Sequence, residues 1–251
     1  MSIAVALAIL GVGLAAGTLN TIVGSGSLIT FPTLLALGYP PVVANVSNTV
    51  GLVTGSISGA IGYRRELEGQ FSRLRVLAVA SLAGGLTGGV LLLALPASVF
   101  RNVVPVLILV ACVLVALQPR LSRRGAEGDR PVRAHGGPLL CIAVFLTGVY
   151  GGYFGAAQGV MLIALLGIFL DDHLQRLNAA KNVLAALVNG IAALLFIVFA
   201  DVDWAVAGLL AGGAIVGGQV GATLGRRISP GWLLAVIVLV GVAVAIRLLV
   251  R

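Results

Sequence analysis

Charge is what this sequence has least of. Only 10% of its 251 residues are Asp, Glu, Lys or Arg, against about a quarter in a soluble globular chain. The apolar fraction is 59% and the mean hydropathy +1.13. A soluble fold of this length would lack the polar surface to cover its cores, so the surplus apolar surface must face lipid. Cysteine and histidine are almost absent: Cys112 and Cys141 both lie inside apolar runs, and His135 and His173 are the only histidines. That excludes a disulfide framework and a metal-ligand cluster, and no metal or cofactor is expected. The formal charge of +8 would suit nucleic acid, but the basic residues sit in short connections between apolar runs rather than on one face. They act as topology signals, and no nucleic-acid partner is expected. The first basic residue is Arg64, so the N-terminus lacks the positive n-region of a secretory signal and reads as a retained membrane segment.

Carboxylates are missing where they would matter most. Glu66, Glu68, Glu127, Asp129, Asp171, Asp172, Asp201 and Asp203 all fall in or beside connections. A carboxylate proton relay or carboxylate-lined cation site therefore has no midplane candidate, and the chemistry points to anions or neutral solutes. The glycine runs lack the lysine of a phosphate loop and the acidic partner of a dinucleotide fold, and no hydrolase constellation appears, so an enzyme is not expected.

What remains is a series of apolar runs near 3–22, 27–38, 42–62, 74–95 and 101–118, then 138–155, 158–170, 177–199, 204–225 and 231–249. Most approach the length that spans about 30 Å of hydrocarbon. Those at 27–38 and 158–170 are too short, and must be half-helices, re-entrant hairpins or thin crossings. The expected fold is an all-α polytopic membrane protein in the bacterial cell membrane. It has two pseudo-symmetric halves, 1–118 and 138–251, about eight transmembrane helices plus short segments, and a cytoplasmic linker at 119–137. Arg64, Arg65, Arg73 and Arg75, the central arginines 120–133, and Arg226 and Arg227 mark the cytoplasmic side, with Asp201 and Asp203 outside. Arg101, Arg247 and Arg251 fall outside in this arrangement.

The halves share landmarks. Gly17 and Gly24 recur as Gly148 and Gly155, Asn48 aligns with Asn182, Ala83-Gly84-Gly85 with Ala211-Gly212-Gly213, and Gly88-Gly89 with Gly217-Gly218. An odd number of crossings per half sets the copies in opposite orientations, with a site between them near the midplane; an even number makes the repeat parallel. Glycines at 51, 55 and 59, at 84 and 88, and at 213, 217, 221 and 225 recur along one helix face and are packing residues.

Candidate binding groups follow from polarity at depth. Asn20, Thr21, Gly24, Ser25, Gly26 and Ser27 precede a short segment with flexible backbone and hydroxyls, as at an anion-binding helix N-terminus; their counterpart stretch holds Gln158. Asn48 and Thr49 open one long segment as Lys181 and Asn182 open its partner, beside Asn45, Ser47 and Asn178. Lys181 is the single lysine. It is either an intramembrane anion ligand or a side chain that snorkels or pairs with Asp171 or Asp172. The glycines and amides equally suit helix packing, capping and cross-helix bonding.

The run Gly17-Thr18-Leu19-Asn20-Thr21-Ile22-Val23-Gly24-Ser25-Gly26-Ser27-Leu28-Ile29 with Pro32, Leu34-Leu35, Gly38, Pro41, Ala44 and Asn48 resembles the glycine-rich first-repeat motif of the sulfite exporter TauE/SafE family. The likeness covers nearly the whole chain. The second half departs from the family pattern at Gly155-Ala156-Ala157-Gln158-Gly159, where a glycine-rich run followed by proline is usual, and at Asn178 to Asn182. The resemblance implies a permease for small sulfur-containing anions such as sulfite or organosulfonates. Because a negative cell interior expels anions, export needs no coupled ion. The rivals are an anion channel, a carrier for another anion such as a carboxylate, and a membrane scaffold. A homo-oligomer stays open.

Overall fold

A computed structural model describes residues 1–126, 137–225 and Leu239. Among the described residues every regular element is helical. They are α1 (Ile3–Ile22), α2 (Ser27–Ala36), α3 (Pro41–Gly62), a 3-10 turn (Arg64–Leu67), α4 (Phe71–Ala94), α5 (Ala97–Ala126), α6 (Gly137–Tyr153), α7 (Gln158–Phe169), α8 (Leu174–Phe199) and α9 (Trp204–Leu224). The expected runs match these elements closely, except that α5 continues as helix to Ala126 through the start of the polar central stretch. The run expected at 231–249 lies outside the described residues, Leu239 apart.

Local chemistry explains the ends. Ser2 caps α1 by accepting from the Val5 N–H at 3.3 Å, Pro41 opens α3 where no N–H is needed, and the Asp203 carboxylate accepts from Val206 N–H at 3.0 Å to start α9. Gly24, at φ +90°, and Gly155, at φ +77°, break the chain between α1 and α2 and between α6 and α7. α1, α4, α5 over Ala97–Leu117, α8 and α9 are long and apolar enough to cross a membrane. α3 is as long but buries Asn45, Ser47, Asn48, Thr49, Ser56 and Ser58, which lowers its apolarity. Large apolar side chains such as Leu7, Ile57, Val79, Leu146 and Phe199 point outward, as a lipid-facing surface requires.

Small residues set the packing. A β-carbon placed at Gly13 would lie 2.8 Å from the Leu210 carbonyl oxygen, one at Gly17 2.5 Å from that of Ala214, and one at Gly221 2.7 Å from that of Thr18. Residue numbers rise together along both helices, so α1 and α9 run parallel. Gly51 and Gly55 meet Leu210 and Ala214 in the same sense, which makes α3 parallel to α9. On the other side, Gly84 and Gly88 abut the Phe145 and Val149 carbonyls of α6, while Gly85 and Gly89 abut Val188 and Ala192 of α8. Here α4, α6 and α8 are mutually parallel.

The two short helices return the chain to the side it came from. α2 leads to Tyr39, whose phenol is pushed up by burial and secondarily by the nearby Asp203 carboxylate; Asp203 N–H also donates to Ser47 Oγ at 2.8 Å. α1 and α2 thus form a hairpin open at the Asp203 end. α7 leads to Leu170, which shares a buried cluster with Leu77, Leu140 and Leu177, and to Asp172, which pairs with Arg73 at 2.8 Å. α6 and α7 form a second hairpin, open at the Arg73 end. α3 and α9 finish at that same end: the Tyr63 hydroxyl sits 2.8 Å from the position of a Gly225 β-carbon, and Arg176, near the start of α8, donates to Glu68 O at 3.0 Å. Consequently α3 and α8 run in opposite directions.

Candidate substrate site

The hairpin tips meet. Gly159 N–H donates to Gly24 O at 3.1 Å, and each of these glycines packs against the backbone of the other, leaving no room for a β-carbon. One amide of the α7 N-terminus is therefore used by the facing tip. Ala157, at φ +60°, turns the chain into α7, and Tyr150 Oη braces that tip by donating to Ala156 O at 2.6 Å. Phe154 packs edge-on against Phe31 at 5.2 Å and Phe100 at 6.2 Å, an aromatic lining on one side of the junction.

Lys181 stands at the end of α1. Its Nζ donates to Asn20 O and Thr21 O, each at 3.0 Å, and the side chain is 1% exposed. Asn178 Nδ2 and Asn182 Nδ2 reach the same Thr21 carbonyl at 3.3 Å. These are the terminal carbonyls that a helix leaves without internal partners, and the negative end of its dipole favours a cation. Lys181 does not snorkel, and the proposed pairing with Asp172 is not made: that carboxylate binds Arg73 and Arg176, both at 2.8 Å. No carboxylate pairs with Lys181 among the described residues. A similar bond with a neutral donor closes another helix end, Asn45 Nδ2 on α3 donating to Tyr153 O, at the end of α6, at 3.0 Å.

The remaining expected residues fall into neighbouring groups. Asn20 Nδ2 donates to Ser56 Oγ at 3.0 Å. Asn48 Nδ2 donates to Ser27 Oγ at 3.1 Å and its Oδ1 accepts from the Thr30 hydroxyl, tying α3 to α2. Thr49 bonds back within α3 to Asn45 O at 3.0 Å, and Gly26 packs on the Ala16 carbonyl. Gln158 is 2% exposed and folds over Gly151. Among buried side chains, Thr21 Oγ1, Ser25 Oγ, Gln158 Nε2, Asn45 Oδ1 and Asn178 Oδ1 have no partner. Both asparagine amides are oriented by the carbonyls their nitrogens bind, so their free oxygens are acceptors. Sequence reasoning missed Thr30, Ser56 and Tyr150. Thr30 lies three residues beyond Ser27 on the same helix face, a signal that was available.

The site thus holds a buried lysine Nζ with amide and hydroxyl groups around it, and no carboxylate pairs with that lysine among the described residues. Comparison with known proteins agrees with a transport role. The family model described as "Sulfite exporter TauE/SafE" matches residues 9–248. The chain is 31% identical over 220 residues to the "Probable membrane transporter protein YfcA" of Escherichia coli (strain K12), covering 85% of this chain and 78% of that one. It is 28% identical over 241 residues to the "Probable membrane transporter protein ORF9" of Sinorhizobium sp, covering 93% and 88%. It is 26% identical over 213 residues to a "Probable membrane transporter protein" of Haemophilus influenzae, covering 85% and 82%. No solved structure matches. With the multi-pass helical fold, these likenesses place the chain in the sulfite exporter TauE/SafE family of membrane transporters.

Proposed function

We propose that this protein is a secondary transporter for small anions, sulfite or organosulfonates foremost, moving them out of the cell, and that it is not an enzyme. The carrying observation is Lys181: a buried lysine Nζ with no carboxylate partner among the described residues, held on the end of α1 beside the tip of the first hairpin. Burying an ionisable group without a counter-charge is costly, and an intramembrane ionisable side chain marks a functional site by default. Two donors of its Nζ hold the end of α1, and in the protonated form a third remains for a ligand. Thr21 Oγ1, Ser25 Oγ and Gln158 Nε2 supply further donors near the same tips.

The opposed directions of α3 and α8 support reading the halves as an inverted repeat, with residues 1–118 and 138–251 as its copies. The arginine-rich end, with Arg64, Arg65 and Arg73, is assigned to the cytoplasm and the Asp203 end to the outside. Backbone contact between Gly24 and Gly159 favours a carrier over an open channel. With the interior negative, each charge leaves downhill by about 2.3 kcal/mol per 100 mV.

The test is flux of radiolabelled sulfite, a sulfonate and a carboxylate in proteoliposomes, with potential and pH gradients imposed separately. Potential-driven sulfite or sulfonate movement, reduced at least tenfold by Lys181→Met in protein that still inserts, is the expected result. Carboxylate movement alone, or full flux in Lys181→Met, would remove the assignment.

A further inference from the structure

The described helices, α5 apart, sort into two bundles that do not follow the sequence halves. The first holds α1, α2, α3 and α9, the second α4, α6, α7 and α8, so each takes helices from both halves. Within a bundle, backbones touch. A β-carbon at Gly55 would be 2.9 Å from the Ala214 carbonyl oxygen, and one at Gly218 2.7 Å from that of Gly55. In the second bundle one at Gly85 would be 3.0 Å from that of Val188, and Gly152 abuts the carbonyl of Gly85. Surfaces interlocked at this spacing cannot slide without lifting apart.

Between the bundles the contacts are of another kind. Gly190 on α8 would place a β-carbon 3.8 Å from a Val53 methyl on α3, an ordinary van der Waals separation. The other links are apolar side chains, Phe31 edge-on against Phe154 at 5.2 Å and Ala179 clustered with Tyr63 and Ala222, and polar side chains on carbonyls: Asn45 to Tyr153 O, and Asn178, Lys181 and Asn182 to the end of α1. Such bonds can be exchanged for bonds to water or to a solute at little net cost. Among the described glycines, one tight backbone contact crosses the boundary, Gly24 on Gly159 at the hairpin tips.

We infer that the moving parts are these two intertwined bundles, which rock about the Gly24–Gly159 contact while the polar links on the α3 and α8 faces open and close. The inference rests on the transport reading for its purpose, but the division into bundles stands on packing and is tested separately. In the full-length chain with Cys112→Ala and Cys141→Ala, two cysteine pairs are introduced and bridged with a short, reducible bifunctional thiol reagent. Leu10→Cys with Gly212→Cys joins α1 to α9 inside one bundle, at a site where a Gly212 β-carbon would be 3.6 Å from the Leu10 side chain. Val53→Cys with Gly190→Cys joins α3 to α8 across the boundary.

Bridging the first pair should leave anion flux within about twofold, whereas bridging the second should lower it at least tenfold, with recovery on reduction. Equal arrest by both, or by neither, overturns the inference. The unbridged variants report separately on transport. If they move no anion, spin labels on the same two pairs in lipid nanodiscs decide the bundle division: a narrow distance distribution within the bundle and a broader one across the boundary sustain it, and equal widths overturn it.

Discussion

At the scale of single residues, backbone crowding and one buried lysine govern the outcome. Gly159→Ala would force a methyl group into the Gly24 backbone, an overpacking expected to cost about 1–3 kcal/mol. Gly190→Ala meets only the Val53 methyl at 3.8 Å and should change stability by less than about 0.5 kcal/mol. Thermal unfolding of both variants in detergent checks the pair. Lys181→Arg should fall between wild type and Lys181→Met in flux, because a planar guanidinium keeps the charge but cannot reproduce the two-carbonyl seat of a compact ammonium. Flux equal to wild type would show that charge alone suffices. Lys181 also shows where residue-level reading of the sequence succeeds and stops. A lone cation inside an apolar run announced itself, but its partners, the carbonyls of Asn20 and Thr21, are backbone atoms about 160 residues away that no side-chain pattern encodes.

At the scale of elements, Asp172 ties the connection before α8 to α4. Burial pushes its carboxyl up, but the bond from Arg73, the His173 N–H and the charges of Arg176 and Arg73 outweigh this and hold it below the usual carboxylate range. Its contribution is therefore fully present above the ordinary carboxylate value, near 3.8, and is lost only as pH falls through the lowered folded value. Asp172→Asn should cost about 1–3 kcal/mol near neutral pH, and the difference from wild type should vanish in strong acid. Unfolding midpoints of the two proteins across pH 2–8 measure it. A gap that persists at the acid limit would assign the loss to something other than charge. Helix ends were legible wherever side chains mark them, as at Ser2, Pro41 and Asp203. The extension of α5 to Ala126 was not, because arginines and a proline in that stretch look like a loop when hydropathy alone is followed. The hairpins were only half legible. Shortness of the runs flagged them, but the side on which each opens depends on Tyr39 near Asp203 and Asp172 on Arg73, which are contacts between distant segments.

At the scale of the whole molecule, composition alone settled membrane residence, since so little charge cannot clothe a soluble surface. The glycine spacings foretold tight helix packing but not who packs with whom. Gly213 and Gly217 face Leu10 and Leu14, a partnership across nearly the full sequence that spacing cannot reveal. The arginine rule makes a checkable assignment of sides. In a Cys112→Ala, Cys141→Ala background, a cysteine at Arg64 should react with an impermeant maleimide only from the cytoplasmic face, and one at Trp204 only from the outside. Labelling on the same face for both would reverse or break the topology.

The partnership of α1 with α9 also bears on how the chain is made. The glycine face of α1 enters the bilayer roughly 200 residues before α9 is synthesised, an interval of about 10–40 s at ordinary translation speeds. Until then its lasting partner does not exist, and α3 waits for the same helix. The early segments must be held in lipid as separate or provisionally paired helices, and the mature arrangement closes only when the late ones slot between them. A ribosome that stalls before α9 leaves behind an assembly with its central seam exposed, a natural target for membrane quality-control proteases.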